Sequence, residues 1–328
     1  MIISHRRLAK AMAALCALAV ASQAAWTQGY PDRTIRLIVP FAAGGNADIN
    51  GRVVADVMQR ALGQPVVVEN RAGAGGGVGA EFVARAAPDG YTLLVGSNGP
   101  LTINPIVNAN INYDSLKDFA AVALVSYVPH VLVVSDKLGA KTIPDLLALS
   151  RTRPINLATS GVGSAGHMTL ERFKHATGAQ IAHVPYKSGG SLLPDVISGN
   201  VDGAMTELSI AVELHKGGQV RIVAVAGATR SKLAPDIPTF DEQGVKGFLA
   251  RSFIGIVAPA KVPAEHLAKL QAAIAAGLGA GSDAAGKLIA TGSEIATPEQ
   301  MTPKGFAGFI KLDYEDMQAA AKLAGLQK

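Results

Sequence analysis

The feature of this chain that most restricts its fold is a glycine-rich elbow that occurs twice, each time between an apolar strand and an amphipathic helix. The first elbow is Phe41-Ala-Ala-Gly-Gly-Asn-Ala-Asp48, and the second is Ser160-Gly-Val-Gly-Ser-Ala-Gly-His167. Backbone N–H groups at the start of a helix have no intrahelical acceptor, so they attract anions. Two such elbows, far apart in the sequence, predict two α/β lobes that hold one small acidic ligand.

Apolar strands alternate with helical patterns around both elbows. This β-α-β-α-β order is typical of a mainly parallel sheet that is buried on both faces by flanking helices. The first series predicts strands at 35–40, 65–69 and 91–95, with helices that end at Gly63 and at the Pro88-Asp-Gly turn. The second series predicts strands at 155–159, 181–184, near Val201 and at 222–226, with helices at 165–177, 190–198 and 209–216.

Two long apolar stretches, 119–134 and 251–258, separate these series and predict a pair of strands that cross between the lobes. We expect these crossing strands to act as a hinge, so that the lobes close around a ligand. The expected organisation is a first lobe from residues 25–127, a second lobe from 128–252, and the remainder of the first lobe from 253–328. Helices are predicted in this last part at 263–278, 283–291 and 303–323.

Residues 1–24 have the pattern of a cleaved signal peptide, with a basic start, a short apolar stretch and the small residues of Ser22-Gln-Ala24. The whole chain carries 30 Lys and Arg against 25 Asp and Glu. Three of the basic residues lie in this leader, so the mature protein is close to neutral and nucleic-acid binding has no electrostatic support. The single cysteine, Cys16, also lies in the leader, which excludes a mature disulfide framework or a thiol nucleophile.

The sequence contains only incomplete versions of common enzyme and cofactor-binding motifs. Gly161-Val-Gly-Ser-Ala-Gly166 matches a dinucleotide fingerprint, but the next strand, 181–187, lacks the acidic residue that would bind a ribose. The hydrolase pattern around Ser164 fails because position 162 is valine. His167 and Glu171 share a helix face without a third metal ligand at sensible spacing. We therefore expect no catalytic residue, no metal and no cofactor.

Neither elbow contains an arginine, so recognition of an acid would fall to backbone N–H groups, hydroxyls and helix ends. Ser160 or Ser164 is expected to cap the second helix, with a ligand contact as an additional role. Asp48 competes with an anionic ligand for the first helix end. It either supports its own loop, the interpretation we favour, or faces a ligand hydroxyl, ammonium or water.

Several motifs occur in an order that resembles a known family. They are Tyr30-Pro-Asp-Arg-Thr-Ile-Arg-Leu-Ile-Val-Pro-Phe41, Gly44-Gly-x-x-Asp48, Gln64-Pro-Val-Val-Val-Glu-Asn-Arg-x-Gly73, Ala87-Pro-Asp-Gly-Tyr-Thr-Leu93, His183-Val-Pro-Tyr-Lys187 and Pro235-Asp-Ile-Pro-Thr239. Together they resemble the Bug proteins, the extracytoplasmic solute receptors of tripartite tricarboxylate transporters. The resemblance covers nearly the whole mature chain. It implies a two-lobed periplasmic binding protein of the Venus flytrap type (type II-like), monomeric, that passes a small carboxylate to membrane permease subunits.

The resemblance also implies which residues bind the ligand. In this family two βα loops close on a carboxylate, largely through main-chain N–H groups and bridging waters. The positions that match are Phe41, Gly44, Gly45 and Asp48 in one lobe, Ser160, Gly163 and Ser164 in the other, and, as weaker matches, Ser97, Asn98 and Tyr186.

One segment departs from the family pattern. Where the family commonly has an apolar residue and then an Asp-Asn pair facing the cleft, this chain has Met205-Thr206-Glu207. A cleft-facing Glu207 would disfavour polyanions and favour a ligand with an amine or a hydroxyl; if it points away, ligand choice lies elsewhere. The alternative function is a sensor that presents its ligand to a membrane histidine kinase.

Overall fold

The computed structural model describes residues 29–327, so the predicted leader lies outside the described residues. The compact unit begins at Arg33. Its first part, which we call the first lobe, is built on three parallel strands in the order β2-β1-β3. These strands are β1 (Ile35–Val39), β2 (Val66–Asn70) and β3 (Thr92–Gly96), and their helices are α1 (Asn46–Leu62) and α2 (Gly77–Ala84).

The nearly continuous apolar run of β1 explains why this sheet is central to the lobe. Leu37 and its neighbour Ile38 point to opposite faces of the sheet and both are wholly inaccessible to solvent, so both faces are covered, as is typical of a parallel sheet. Helix α1 ends at Gly63, whose φ of 68° is the left-handed cap that glycine adopts without strain. After β3 the chain forms one π-helical turn (Gly99–Ile103) and the short helix α3 (Asn104–Val107).

Two antiparallel strands connect the lobes. The sixteen-residue strand β4 (Phe119–Val134) pairs along 119–129 with β9 (Arg251–Pro259), which in turn pairs with β3. The far end of β4, 130–134, instead joins the sheet of the second part of the fold. Strand β4 thus runs from one lobe into the other, and β9 takes the chain back from Ala250, which bonds to Ala226 of the second lobe.

The second lobe repeats the parallel arrangement, with strand order β7-β5-β6 and β7 antiparallel to β4. Phe173 packs edge-on against Phe240 in its core. The strands are β5 (Ile155–Thr159), β6 (Ile181–Pro185), β7 (Gly203–Glu207) and β8 (Arg221–Val225). The helices are α4 (Ile143–Ser150), α5 (Ala165–Thr177), α6 (Gly189–Ser198) and α7 (Leu208–Lys216).

The C-terminal part is helical apart from the two-residue strand β10 (Glu294–Ile295), which pairs with β4. Its helices are α8 (Ala264–Gly277), α9 (Asp283–Ala290) and α10 (Pro303–Leu323). None of the helices between residues 29 and 327 combines the length and the apolarity that a membrane span needs.

The sequence expectation differs from this fold at several places, among them the short helix α3 and the strand β10, which were not expected. The strand expected near Val201 begins at Gly203, because Val201 and Asp202 form the turn that precedes it. Helix α4 was not expected, although Thr142 and Asp145 form a reciprocal capping box at its start. Strand β8 runs antiparallel to β4 rather than continuing the parallel series. The lobe boundaries at 127/128 and 252/253 fall within β4 and β9 and stay predictions.

Candidate functional site

A small cavity lies between the lobes, with a volume of about 20 Å³ accessible to the centre of a water molecule. The backbones of the two lobes touch beside it, with Ala42 N donating to Lys187 O at 3.2 Å, so the lobes are closed in this structure. The first lobe lines it with Phe41, Gly45, Asn46, Ala47, Ser97 and Gly99. The second lobe contributes Ser160, Ser164, Ala165, Ser188, Gly189 and Glu207, and β9 contributes Ser252 and Ile254.

Four helices begin at this cavity, one of them α7, which directly follows Glu207. Helix α1 starts directly after Gly45, which offers no side-chain cap to the first turn. Helix α5 starts after Ser164, whose Oγ accepts a hydrogen bond from His167 N at 3.2 Å. Helix α6 starts after Ser188, which exchanges hydrogen bonds with Ser191 in a capping box. The positive ends of helices from both lobes therefore meet around one cavity.

Asp48 supports the first elbow rather than lining the cavity. Its Oδ2 accepts hydrogen bonds from Gly44 N and Arg52 Nε, both at 3.0 Å. Its Oδ1 accepts from Arg52 Nη2 and Asn70 Nδ2, both at 2.9 Å. Burial acts to raise the pKa of Asp48, but the bonds from Arg52, Gly44 and Asn70 outweigh it and lower the pKa. Every oxygen of this carboxylate is occupied within its own lobe.

Of the other expected site residues in the first lobe, some line the cavity and the others lie outside it. Ser97 lines the cavity, whereas the side chain of Asn98 holds the hinge region together. Asn98 Nδ2 donates to Asp313 Oδ2 at 3.0 Å, and its Oδ1 accepts from Phe253 N at 3.0 Å. Asn98 thus ties helix α10 and strand β9 to the end of β3. Phe41 and Gly45 line the cavity, but Gly44 does not.

In the second lobe, Ser160 and Ser164 line the cavity while Gly163 and Tyr186 lie outside it. Gly163 has a φ of 78°, and its N–H donates to His167 Nδ1 at 3.3 Å. Tyr186 borders a neighbouring opening of about 370 Å³ that shares Phe41 and Ser160 with the cavity. Its hydroxyl donates to Asp195 Oδ2 at 2.5 Å. Burial and this bond raise the pKa of Tyr186 to about 12.

Glu207 lines the cavity from the end of β7. Its Oε1 is 3.1 Å from Ser252 Oγ, and its Oε2 is 3.2 Å from Thr206 Oγ1. Glu207 keeps some accessible surface, as a cavity-lining side chain does, and the dense protein around it raises the pKa of its carboxyl through burial. The cleft-facing alternative considered for this residue is therefore the one that the structure shows.

Sequence reasoning missed Asn46, Ser188 and Ser252. Ser188 follows the expected Tyr186-Lys187 motif and precedes a helix, so the capping preference of serine was an available signal. Ser252 lies in a crossing strand, and only the pairing of β9 with β4 brings it to Glu207. Asn46 Oδ1 accepts from Ser209 Oγ of the second lobe at 3.0 Å, a contact between distant segments that no local pattern indicates.

The chemistry of this cavity is that of a binding site for an anion. Its lining combines helix N-termini with serine hydroxyls, and these groups donate hydrogen bonds to oxygen anions. Across the described residues 29–327, no cluster of three His, Cys, Asp or Glu side chains is arranged to hold a metal ion.

Comparison with known proteins agrees with this geometry. The model of the tripartite tricarboxylate transporter family receptor matches residues 51–301 of the chain. The chain belongs to this receptor family. It is also 36% identical over 284 residues to the protein BugT of Bordetella pertussis, an alignment that covers 86% of each chain.

Solved structures of the family share the fold of this receptor. The R. palustris protein Rpa4515, solved with adipate, superposes with a TM-score of 0.86 at 33% identity over 90% of this chain and 99% of its own. MatC from Rhodopseudomonas palustris, solved with bound malate, gives a TM-score of 0.85 at 31% identity over 89% of this chain and 99% of its own. The receptor is thus a two-lobed α/β periplasmic binding protein in fold.

Proposed function

We propose that this receptor captures a small carboxylate between its lobes in the periplasm and delivers it to the permease of a tripartite tricarboxylate transporter. The observation that carries the proposal is the meeting of α1, α5 and α6 at one hydroxyl-lined cavity. Helix N-termini of both lobes stabilise a carboxylate there only when the lobes are together. The adipate and malate bound to the two related proteins are acids of this class.

The ligand contacts we propose are the N–H groups at the starts of α1 and α5 together with the hydroxyls of Ser97, Ser160 and Ser164. Gly44, Asp48, Asn98 and Gly163 hold the loops in place from behind. The residues of both lobes touch in this structure, as in the hydrogen bond from Ala42 N to Lys187 O at 3.2 Å. Because these contacts join the lobes beside the cavity, a carboxylate enters only when the lobes separate, and capture requires movement at β4 and β9.

We propose binding without catalysis. Ser252 in the cavity wall and the buried His130 behind it resemble a nucleophile and a base, with Ser252 Oγ 2.8 Å from His130 Nε2. In a catalytic triad the acid holds the far nitrogen of the imidazole. Here Glu207 contacts the serine instead, and the far nitrogen meets Thr169. Burial, with a smaller contribution from Arg172, lowers the pKa of His130 to about 3, which makes it a weak base.

The proposal is tested by thermal-shift measurements on the mature protein, refolded to remove any co-purified ligand, against mono-, di- and tricarboxylates, amino acids and aromatic acids. A ligand at a hundred times its Kd adds about 2.7 kcal/mol to the free energy of unfolding, which is easily detected. We expect a saturable shift with one class of acid. Folded protein that shows no shift with any acid would contradict carboxylate capture.

A further inference from the structure

The cavity contains one ionisable side chain, and this side chain is an acid. Among the described residues 29–327, the others that line it are apolar, glycine, serine or asparagine, so Glu207 is the one that can carry charge. In a site built to attract a carboxylate, an acidic side chain opposes the helix ends. Glu207 directly precedes α7 as its N-cap residue, so the positive end of that helix favours the ionised carboxylate, but a cationic side-chain partner is missing from the described part of the chain.

The protein surrounds Glu207 with neutral groups. Its two oxygens meet the hydroxyls of Ser252 and Thr206. Among residues 29–327, no Lys, Arg or His nitrogen comes within ion-pair distance of its carboxylate, whereas Asp48 and Asp202 each hold an arginine. Buried charges in proteins are normally paired, because an unpaired charge loses its hydration without compensation.

Ser252 connects Glu207 to a chain of hydrogen bonds that ends at helix α5. His130 Nε2 is 2.8 Å from Ser252 Oγ, and His130 Nδ1 is 2.7 Å from Thr169 Oγ1. With a neutral imidazole, Ser252 can donate to Glu207 if His130 carries its proton on Nε2 and accepts from Thr169 at Nδ1. The hydrogen bonds between these groups can also all point the other way. A protonated Glu207 then donates to Ser252, and at the far end Thr169 donates to Ala165 O at 2.9 Å.

The two directions differ in what they offer to a ligand. When the hydrogen bonds are donated toward Glu207, its carboxylate is ionised and oriented by Ser252. It can then accept further hydrogen bonds from a ligand in the cavity. Gly189 packs closely beside this carboxylate: a Cβ at that position would lie 2.4 Å from Ile210 Cδ1 and 3.3 Å from Glu207 Oε2. A donor with positive charge would supply the missing partner.

We propose that Glu207 is the specificity-determining residue of this receptor and selects small acids that carry an ammonium group in addition to their carboxylate. The helix N-termini hold the carboxylate of such an amino acid, and Glu207 pairs with its ammonium. This assignment rests on the proposed capture of carboxylates and names their class. Simple di- and tricarboxylates place a second negative charge near Glu207 and are disfavoured.

The experiment is isothermal titration calorimetry with matched ligand pairs that differ in the amino group, aspartate against succinate and alanine against propionate. The protein is expressed with its own N-terminus, so that the host processes any leader, and is freed of co-purified ligand. For at least one pair we expect the amino acid to bind about tenfold more tightly or better, the factor that corresponds to roughly 1.4 kcal/mol. In Glu207→Gln the same pair should lose this preference.

The control is Glu213→Gln, on the exposed face of α7 where Glu213 pairs with Lys216 at 2.9 Å, which should leave both affinities unchanged. Circular dichroism establishes that each variant is folded. Equal affinity for both members of every pair, or a preference that Glu207→Gln retains, would overturn the role of Glu207 while carboxylate capture stands. If the folded protein binds none of the four acids and no acid of the wider thermal-shift panel, both the role of Glu207 and carboxylate capture are overturned.

Discussion

Gly190 of the second lobe lies directly against Gly44 of the first, and a Cβ on Gly190 would come within 2.6 Å of the carbonyl carbon and oxygen of Gly44. Gly75 meets Val162 and Gly163 across the lobes in the same way, with no room for a side chain. The closed arrangement therefore depends on glycines at points where the two backbones touch.

We predict that Gly190→Ala weakens ligand binding about tenfold or more without lowering the free energy of unfolding of the free protein. Helix α6 accepts alanine, but the added methyl group blocks full closure. Titration calorimetry and urea unfolding measure the two effects. The matched control is Gly286→Ala in α9, where a Cβ meets nothing within 4 Å. Wild-type affinity in Gly190→Ala would mean that closure is not required for binding.

Ser164 is expected to have two roles, as helix cap and as ligand contact. We predict that Ser164→Ala lowers the free energy of unfolding by about 1 kcal/mol, the usual cost of a lost N-cap. It should also raise the Kd for the ligand. Ser282→Ala removes an equivalent cap from α9, where Ser282 Oγ accepts from Ala285 N at 3.1 Å, far along the chain from both elbows. This control should lose stability but keep its affinity; an unchanged Kd in Ser164→Ala would remove Ser164 from the contacts.

Asp48 is predicted to act on binding through the shape of its loop. Asp48→Asn weakens the two-pronged contact with Arg52 and the bond to Gly44, so we expect lower stability and a several-fold higher Kd. Asp56 makes a comparable contact with Arg60 four residues further along α1, but on the exposed surface. Asp56→Asn should change neither quantity appreciably, since exposed pairs contribute roughly 0–1 kcal/mol. Equal effects of the two substitutions would contradict a special role for Asp48.

His130 should make the protein sensitive to acid. Its pKa is lowered to about 3 by burial, while an unfolded histidine titrates near about 6.5. Because the unfolded chain takes up this proton first, the contribution of His130 to stability is complete above the unfolded pKa and is lost as pH falls toward the folded one. Between pH 7 and pH 5 the loss is on the order of 2 kcal/mol.

Urea unfolding at pH 7 and pH 5 tests this, because His130→Gln should lose less stability on acidification than the wild type. Burial also lowers the pKa of His167 and takes the pKa of His183 to about 4, so these two histidines also cost stability at low pH. The contribution of His130 is therefore read from the difference between the variant and the wild type. His175→Gln, on the exposed face of α5, should follow the wild type. The same acid-induced loss in His130→Gln would show that another group is responsible.

Local patterns were sufficient to predict most elements of the fold. Helices α5 and α10 and strands β4 and β5 have the predicted bounds, because apolar periodicity, Gly178 as a C-cap and proline at the start of α10 are all local signals. The anion-attracting N–H groups of the second elbow, the capping preference of serine and the family resemblance are why Ser160 and Ser164 were among the predicted site residues.

The remainder of the site depends on contacts between distant segments. Ser252 reaches Glu207 only through the pairing of β9 with β4, and the orientation of Glu207 depends on where β7 ends. Asn98 matched the family motif, yet its side chain is engaged by Asp313, more than two hundred residues further along the chain. Residue type and spacing therefore predicted the loops of the site but not which side chains face the cavity.

The most direct test of the account is a calorimetric titration of the ligand-free protein with the acid that gives the largest thermal shift. We predict one site per chain, with affinity reduced about tenfold by Ser97→Ala in the first lobe and likewise by Ser160→Ala in the second. Saturable binding that neither substitution weakens would contradict capture between the lobes, because the acid would then bind outside the cavity that these two serines line.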